Sequence, residues 1–165
     1  MSQLALYGTA IAFSFIAWGL LTHQYLWPEL RRWSNADALR PLLLLHSFRF
    51  IGLAFLVPGV VSPDLPATFA GPAAYGDLSA AALALLALAT GLQTTIGIAL
   101  VWVFSLWGVA DLLYAFYQGN LVGLQPGQLG ATYFIVIVVV PLLFITHGLV
   151  FRLLLRGNAQ GRIAR

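Results

Sequence analysis

The sequence contains no cysteine and no lysine, and only 8% of its 165 residues are charged. Without cysteine there are no disulfides, thiolate metal sites, iron–sulfur clusters or cysteine nucleophiles. A soluble domain carries roughly 25% charged residues, so this chain has too few to coat a water-exposed globule. P-loop, H-E-x-x-H, G-x-S-x-G and Gly-rich dinucleotide patterns are missing as well. Each polar connection is too short to hold soluble catalytic machinery, which argues against an enzyme. The eight arginines give a formal charge of +3, yet they form no stripe of the kind that grips a phosphate backbone. No nucleic-acid partner is expected.

What is present is apolar: 61% hydrophobic residues and a mean hydropathy of +0.91. A bilayer core of about 30 Å takes about 20 apolar residues in a helix. The sequence offers five such stretches, near 4–26, 41–61, 77–92, 95–118 and 131–154. The first lacks a positive n-region and is too long for a signal-peptide core, so it is read as a retained span. The stretch from Asp77 to Gln118 is about twice the length of one span, and the turn signal at Thr90, Gly91 and Gln93 divides it; reading it undivided would give four spans. Arg31, Arg32 and Arg40 lie in the first connection, and Arg152, Arg156, Arg162 and Arg165 at the C-terminal end. By the positive-inside rule both are cytoplasmic. An odd number of spans satisfies this. The expected fold is an all-α integral membrane protein, residues 1–165 forming one bundle of five transmembrane helices with the N-terminus outside and the C-terminus cytoplasmic. A bacterial-type inner membrane is the expected location.

Residues 28–40 suit an interfacial segment, and Ser34 and Asp37 stand at capping-box spacing, which allows the second helix to start before Pro41. Trp27 and Trp33 fit the inner interface, Tyr75 and Tyr117 the outer. Ala80, Ala84 and Ala87 form a small-residue stripe that admits a neighbouring backbone. Asp77 reads as a cap on the third helix, and Asp64, between Pro63 and Pro66, as turn chemistry.

Arg49 and Asp111 remain, each well inside a span. Facing lipid at a helix centre, each would cost on the order of 2.5–3.5 kcal/mol, which inward orientation or pairing avoids. They are expected to meet, directly or through water. Such a pair either anchors a small polar or amphipathic ligand, or a proton or ion path, or it fixes helix register. Ser105, Gly108, Asp111, Ala115 and Gln118 share one face of the fourth span, His46 and Arg49 one face of the second. Pro141 should kink the fifth helix before Thr146 and His147, with Tyr133 projecting on nearly the same side. The expected ligand-binding set is therefore Arg49, Asp111, His46, His147, Ser105 and Tyr133. The aromatic residues of the fourth span could line a cavity around Asp111.

His46 and His147, on different spans, could instead ligate a b-type haem axially, or bind a metal with His23. Three functions stay open: binding or transport of a small solute, a haem-bearing electron-transfer subunit, and an accessory subunit of a larger membrane complex. The partners implied are the lipid bilayer, a small-molecule ligand, and a membrane-protein partner or second copy of the chain.

Overall fold

The computed structural model describes residues 1–163, and of 157–163 the backbone alone. The side chains of Arg162 and Arg165 therefore lie outside the described residues. Five helices are long and apolar enough to cross a membrane: α1 (Gln3–Leu30), α2 (Asn35–Leu56), α3 (Ala67–Thr90), α4 (Thr95–Leu121) and α5 (Ile135–Arg156). Their number matches the sequence reading. Several of their boundaries do not: α1 ends later, α2 starts and ends earlier, α3 starts earlier and α5 starts later than expected.

α1 runs on through Pro28 to Leu30. Proline offers no N–H to the carbonyl four residues back and its ring crowds that carbonyl. The turn before it, Thr22–Leu26, relieves both by widening to π geometry, with the Trp27 N–H donating to the Thr22 carbonyl. Pro141 is handled the same way: Ile135–Val139 form a π turn, closed by the Val140 N–H on the Ile135 carbonyl. The expected kink thus takes the form of a widened turn. Beside it, the Trp18 indole N–H donates to the Val138 carbonyl at 3.0 Å and ties α1 to α5.

The anticipated interfacial segment 28–40 is not a separate element. It divides into the end of α1, a short connection and the start of α2. Ser34 caps α2, its Oγ accepting from the Asp37 N–H at 3.2 Å while donating to the Asp37 carboxylate at 2.6 Å. α2 then changes winding: Asn35–Ser47 is α-helical, Phe48–Leu56 is 3-10. At three residues per turn, positions three apart lie directly above one another. Arg49, Gly52 and Phe55 therefore form one straight, buried row.

α3 begins ten residues before the expected Asp77, because the Ala-rich run before Asp77 is helical. Pro72 falls in its second turn and removes one backbone bond, that to the Thr68 carbonyl. The expected α3–α4 break is present: Gly91 adopts φ 84° after Thr90, and Thr94 caps α4 through its Oγ on the Gly97 N–H at 2.9 Å.

At one end of the bundle the arginines gather. Arg152 lies 3.8 Å over the Trp27 ring, Arg156 donates to the Arg31 carbonyl at 2.8 Å, and Asn35 to the Leu153 carbonyl at 3.0 Å. Below this basic end an apolar core of Leu39, Leu43, Val101, Phe104, Val150 and Leu153 is fully buried. At the charge-poor end the two connections clasp each other: the Ser62 N–H donates to the Gln128 carbonyl at 3.1 Å, the Ala131 N–H to the Val60 carbonyl at 2.8 Å. Asp64 takes part in this clasp through its backbone, its carbonyl accepting from Gln128 at 3.0 Å.

Gly130 makes the clasp possible. It sits at φ 53°, ψ −133°, and a Cβ there would fall on the Val60 carbonyl oxygen. Gly130→Ala is expected to destabilise by about 1–3 kcal/mol, read as a lower midpoint in detergent thermal unfolding. An unchanged midpoint would show that the clasp contributes nothing.

Candidate functional site

The alanine stripe of α3 is longer than the three residues noted in the sequence. Ala70, Ala73, Ala74, Ala80, Ala81, Ala84 and Ala87 are all buried along one side, and Asp77 stands in the middle of that side. Small residues let α2 and α4 approach closely, which carries the Asp77 carboxylate into the bundle. Asp77 is therefore an interior residue and does not cap the helix.

Three charges meet at one depth. Counted from the charge-poor ends of their helices, Arg49 lies about 14 Å in at the 3-10 rise, and Asp77 and Asp111 about 15 Å in at the α rise. The Arg49 side chain is fully buried. Its Nε donates to Asp77 Oδ1 at 2.7 Å and its Nη2 to Asp111 Oδ2 at 2.7 Å. The expected Arg49–Asp111 contact is thus direct, and a second carboxylate joins it. Arg49 Nη1 completes the set, 3.3 Å from the Gly108 carbonyl and 3.4 Å from His147 Nε2. One guanidinium on α2 binds α3, α4 and α5 together.

Each carboxylate and imidazole at this level occupies a slot opened by a glycine. A Cβ at Gly52 would fall on the Asp77 carboxylate, and one at Gly76 on that of Asp111. At Gly108 it would lie 2.6 Å from the His147 ring and 2.8 Å from Arg49 Nη1. One glycine on each of α2, α3 and α4 thus sets the distance between backbones that the ion network needs.

The hydrogen bonds assign the histidine tautomers. Arginine only donates, so His147 Nε2 is an acceptor and its Nδ1–H faces Ser105 Oγ, 3.4 Å away. Thr146 Oγ1 donates into the α5 backbone, 2.8 Å from the Leu142 carbonyl. It therefore accepts from His46 Nε2–H at 2.9 Å. Both rings are neutral in this arrangement. His46 Nδ1 is buried with no partner among the described residues, and as the bare nitrogen of this tautomer it is an orphan acceptor, less costly than an orphan donor.

His46, Arg49, Ser105, Asp111 and His147 thus come together as the sequence suggested. Tyr133 does not join them; its ring packs 5.7 Å from that of Tyr7 at the charge-poor end. Gln118 also stays apart, bonded to Tyr114 on the outer side of α4.

The haem geometry is not met. The His46 and His147 ring centroids are 4.2 Å apart, whereas axial ligation places an iron and its macrocycle between two imidazoles. Rings in contact leave no such gap, so these residues do not fit a haem. His23 is exposed, away from the other two, and among the described residues no group of three His, Cys, Asp or Glu side chains could hold a metal ion.

Two cavities reach the ionic centre. One, about 350 Å³, is lined by all five helices, with Tyr7, Phe55, Phe69, Phe116 and Val136 on its walls and Asp77 and Asp111 at its inner end. The other, about 490 Å³, lies between α3 and α4 and touches Asp111 beside Tyr75, Trp107 and Tyr114. The Trp107 indole crosses to Ser79 Oγ at 2.8 Å and marks its edge. An aromatic-walled space beside Asp111 is what the composition of the fourth span implied.

Fold and site together define a bundle of five membrane-length helices built around a buried ionic centre with apolar cavities at its carboxylates. The chain belongs to the family described as Domain of unknown function (DUF8737), which it matches over residues 6–155. Comparison with curated proteins and with solved structures gave no match.

Proposed function

We propose that the protein resides in a lipid bilayer, a bacterial-type inner membrane, and binds a small amphipathic solute in the 350 Å³ cavity. The observation that carries this reading is the composition of the lining there: apolar and aromatic residues from all five helices together with the two carboxylates, Asp77 and Asp111. Ligand sites have this composition, a mostly apolar cleft of about 300–1,000 Å³ with few fixed polar groups. The solute's apolar body lies against Phe55, Phe69 and Phe116, its polar end against Asp77 and Asp111. Arg49 holds the carboxylates in place, with His147 and Ser105 behind it. By the positive-inside rule the end bearing Arg31, Arg32, Arg40, Arg152 and Arg156 faces the cytoplasm. The cavity then opens outward.

Transport would need a path to the basic end, where the core of Leu39, Leu43, Val101 and Phe104 is closed. Movement of solute across the bundle therefore requires a second conformation. Ala115→Phe, which fills the cavity beside Asp111, is expected to abolish binding of 4-phenylbutan-1-ol by the detergent-solubilised protein while leaving its thermal midpoint within about 1 °C, since the new ring enters empty space. Retained binding would place the ligand elsewhere.

A second reading, an accessory subunit whose ionic centre only fixes helix register, is favoured by one observation: four of the five N–H groups of Arg49 are used by the protein itself. Reproducible co-purification with the same membrane partners in mild detergent, with no binding of the phenyl probe, would support it.

A further inference from the structure

We infer that the occupant of the 350 Å³ cavity carries a positive charge, an ammonium-type group seated against the free carboxylate oxygens of Asp111 and Asp77. This inference rests on the binding reading above and adds the chemical class of ligand.

The charges at the centre do not balance. The centre holds one guanidinium and two carboxylates, a net charge of −1 with both acids ionised. Among the described residues no other full charge offsets it. Between Arg40 and Arg152 the sequence has no arginine or lysine except Arg49, and the flanking arginines lie at the basic end. His147 faces Arg49 through an unprotonated nitrogen and His46 is bonded as a neutral ring, so neither imidazole supplies the missing cation. A charge buried without compensation costs several kcal/mol. Compensation comes either from a cation brought to the carboxylates or from a proton on one of them, and the aromatic lining of the cavity favours the cation.

The geometry shows where it enters. Asp77 Oδ1 and Asp111 Oδ2 are taken by Arg49. The second oxygen of each accepts no hydrogen bond from the described residues: Asp77 Oδ2 lies against Gly52 and Asp111 Oδ1 against Gly76, and both carboxylates border the cavity. The Asp111 side chain is 9% exposed and borders the 490 Å³ cavity as well. The walls suit the same class of ligand. Tyr7, Phe55, Phe69 and Phe116 present ring faces or edges to the cavity, and aromatic faces attract organic cations, more strongly when water is excluded. A metal ion is a poorer match, because among the described residues no group of three His, Cys, Asp or Glu side chains could hold one.

A series of probes matched in shape tests the assignment on the full chain in dodecyl maltoside: 4-phenylbutylamine, 4-phenylbutan-1-ol and 4-phenylbutanoate, titrated by calorimetry at pH 7. The amine is expected to bind at least about tenfold tighter than the alcohol, a difference of about 1.4 kcal/mol, and the carboxylate not at all. Asp111→Asn, which keeps the side chain's shape and brings the centre to neutrality, is expected to bring the amine and alcohol constants to within about twofold of each other. Equal binding of amine and alcohol to the unaltered protein would overturn the charge assignment and leave the cavity reading standing; the centre would then be neutralised by a proton or inorganic ion. Failure of all three probes to bind would overturn both readings. The unaltered protein decides the matter even if the variant folds poorly. Displacement of the bound amine by lysophosphatidylethanolamine, but not by lysophosphatidylglycerol, would place the cation on a lipid head. Displacement by neither supports a free amine.

Discussion

Arg49→Leu is expected to cost about 3–5 kcal/mol, the usual result of stripping a buried ion pair of one partner, and to reduce the monodisperse yield in detergent severely. Two carboxylates would then stand within one buried cluster with no cation between them. The useful comparison is the rescue. Combining Arg49→Leu with Asp111→Leu still leaves Asp77 charged and without its 2.7 Å partner, so recovery is expected to be incomplete. Adding Asp77→Asn to that pair removes the last uncompensated charge and is expected to restore most of the yield. If the pair recovers as well as the triple, Asp77 is not part of the network. Stability recovered without recovery of 4-phenylbutylamine binding would show that the centre acts as a binding site as well as a scaffold.

Gly108→Val and Gly76→Val carry the second large effect. Their added carbons would meet the His147 ring and Arg49 in the first case and the Asp111 carboxylate in the second. Overpacking a filled interior costs about 1–3 kcal/mol, occasionally more, and here the displaced atoms are charged groups with no alternative partners. Loss of several degrees in the thermal midpoint is expected for both. Gly148→Ala is the control: it neighbours His147 in sequence, yet a Cβ there meets nothing within 4 Å. It is expected to stabilise by about 0.5–1 kcal/mol, the helix preference for alanine over glycine. A large loss at Gly148 would show that the glycines matter for backbone reasons and not for space.

The number of membrane-length helices was legible in the sequence because hydropathy and length act locally, and the Thr90–Gly91 break was legible because glycine there takes the positive φ that ends a helix. Arg49 and Asp111 stood out for the same reason: an ionised side chain among apolar neighbours is visible without a structure. Asp77 was misread as a cap because the third span was taken to begin there. The signal that could have corrected this was the run of alanines on both sides of it at helical spacing. Tyr133 was misplaced because the widened turn at Ile135–Val139 lies between it and His147, so simple 3.6-residue counting fails across it. The 3-10 winding of Phe48–Leu56 left no local mark, since it is set by the packing of α2 on α3. The roles of Gly52, Gly76 and Gly108 were equally hidden, because each glycine serves a side chain on another helix.

α1 differs from its four neighbours in one respect. Arg49, Asp77, Asp111 and His147 come one each from α2, α3, α4 and α5, and the membrane-length window of α1 buries none of its own residues. It nevertheless supplies Leu4, Tyr7, Gly8 and Ile11 to the cavity wall. Displacing α1 breaks none of the Arg49 hydrogen bonds, whereas displacing any other helix breaks at least one. The polar network thus fastens four helices to one another and leaves α1 attached from outside it, by the Trp18 indole and the stacking of Trp27 under Arg152.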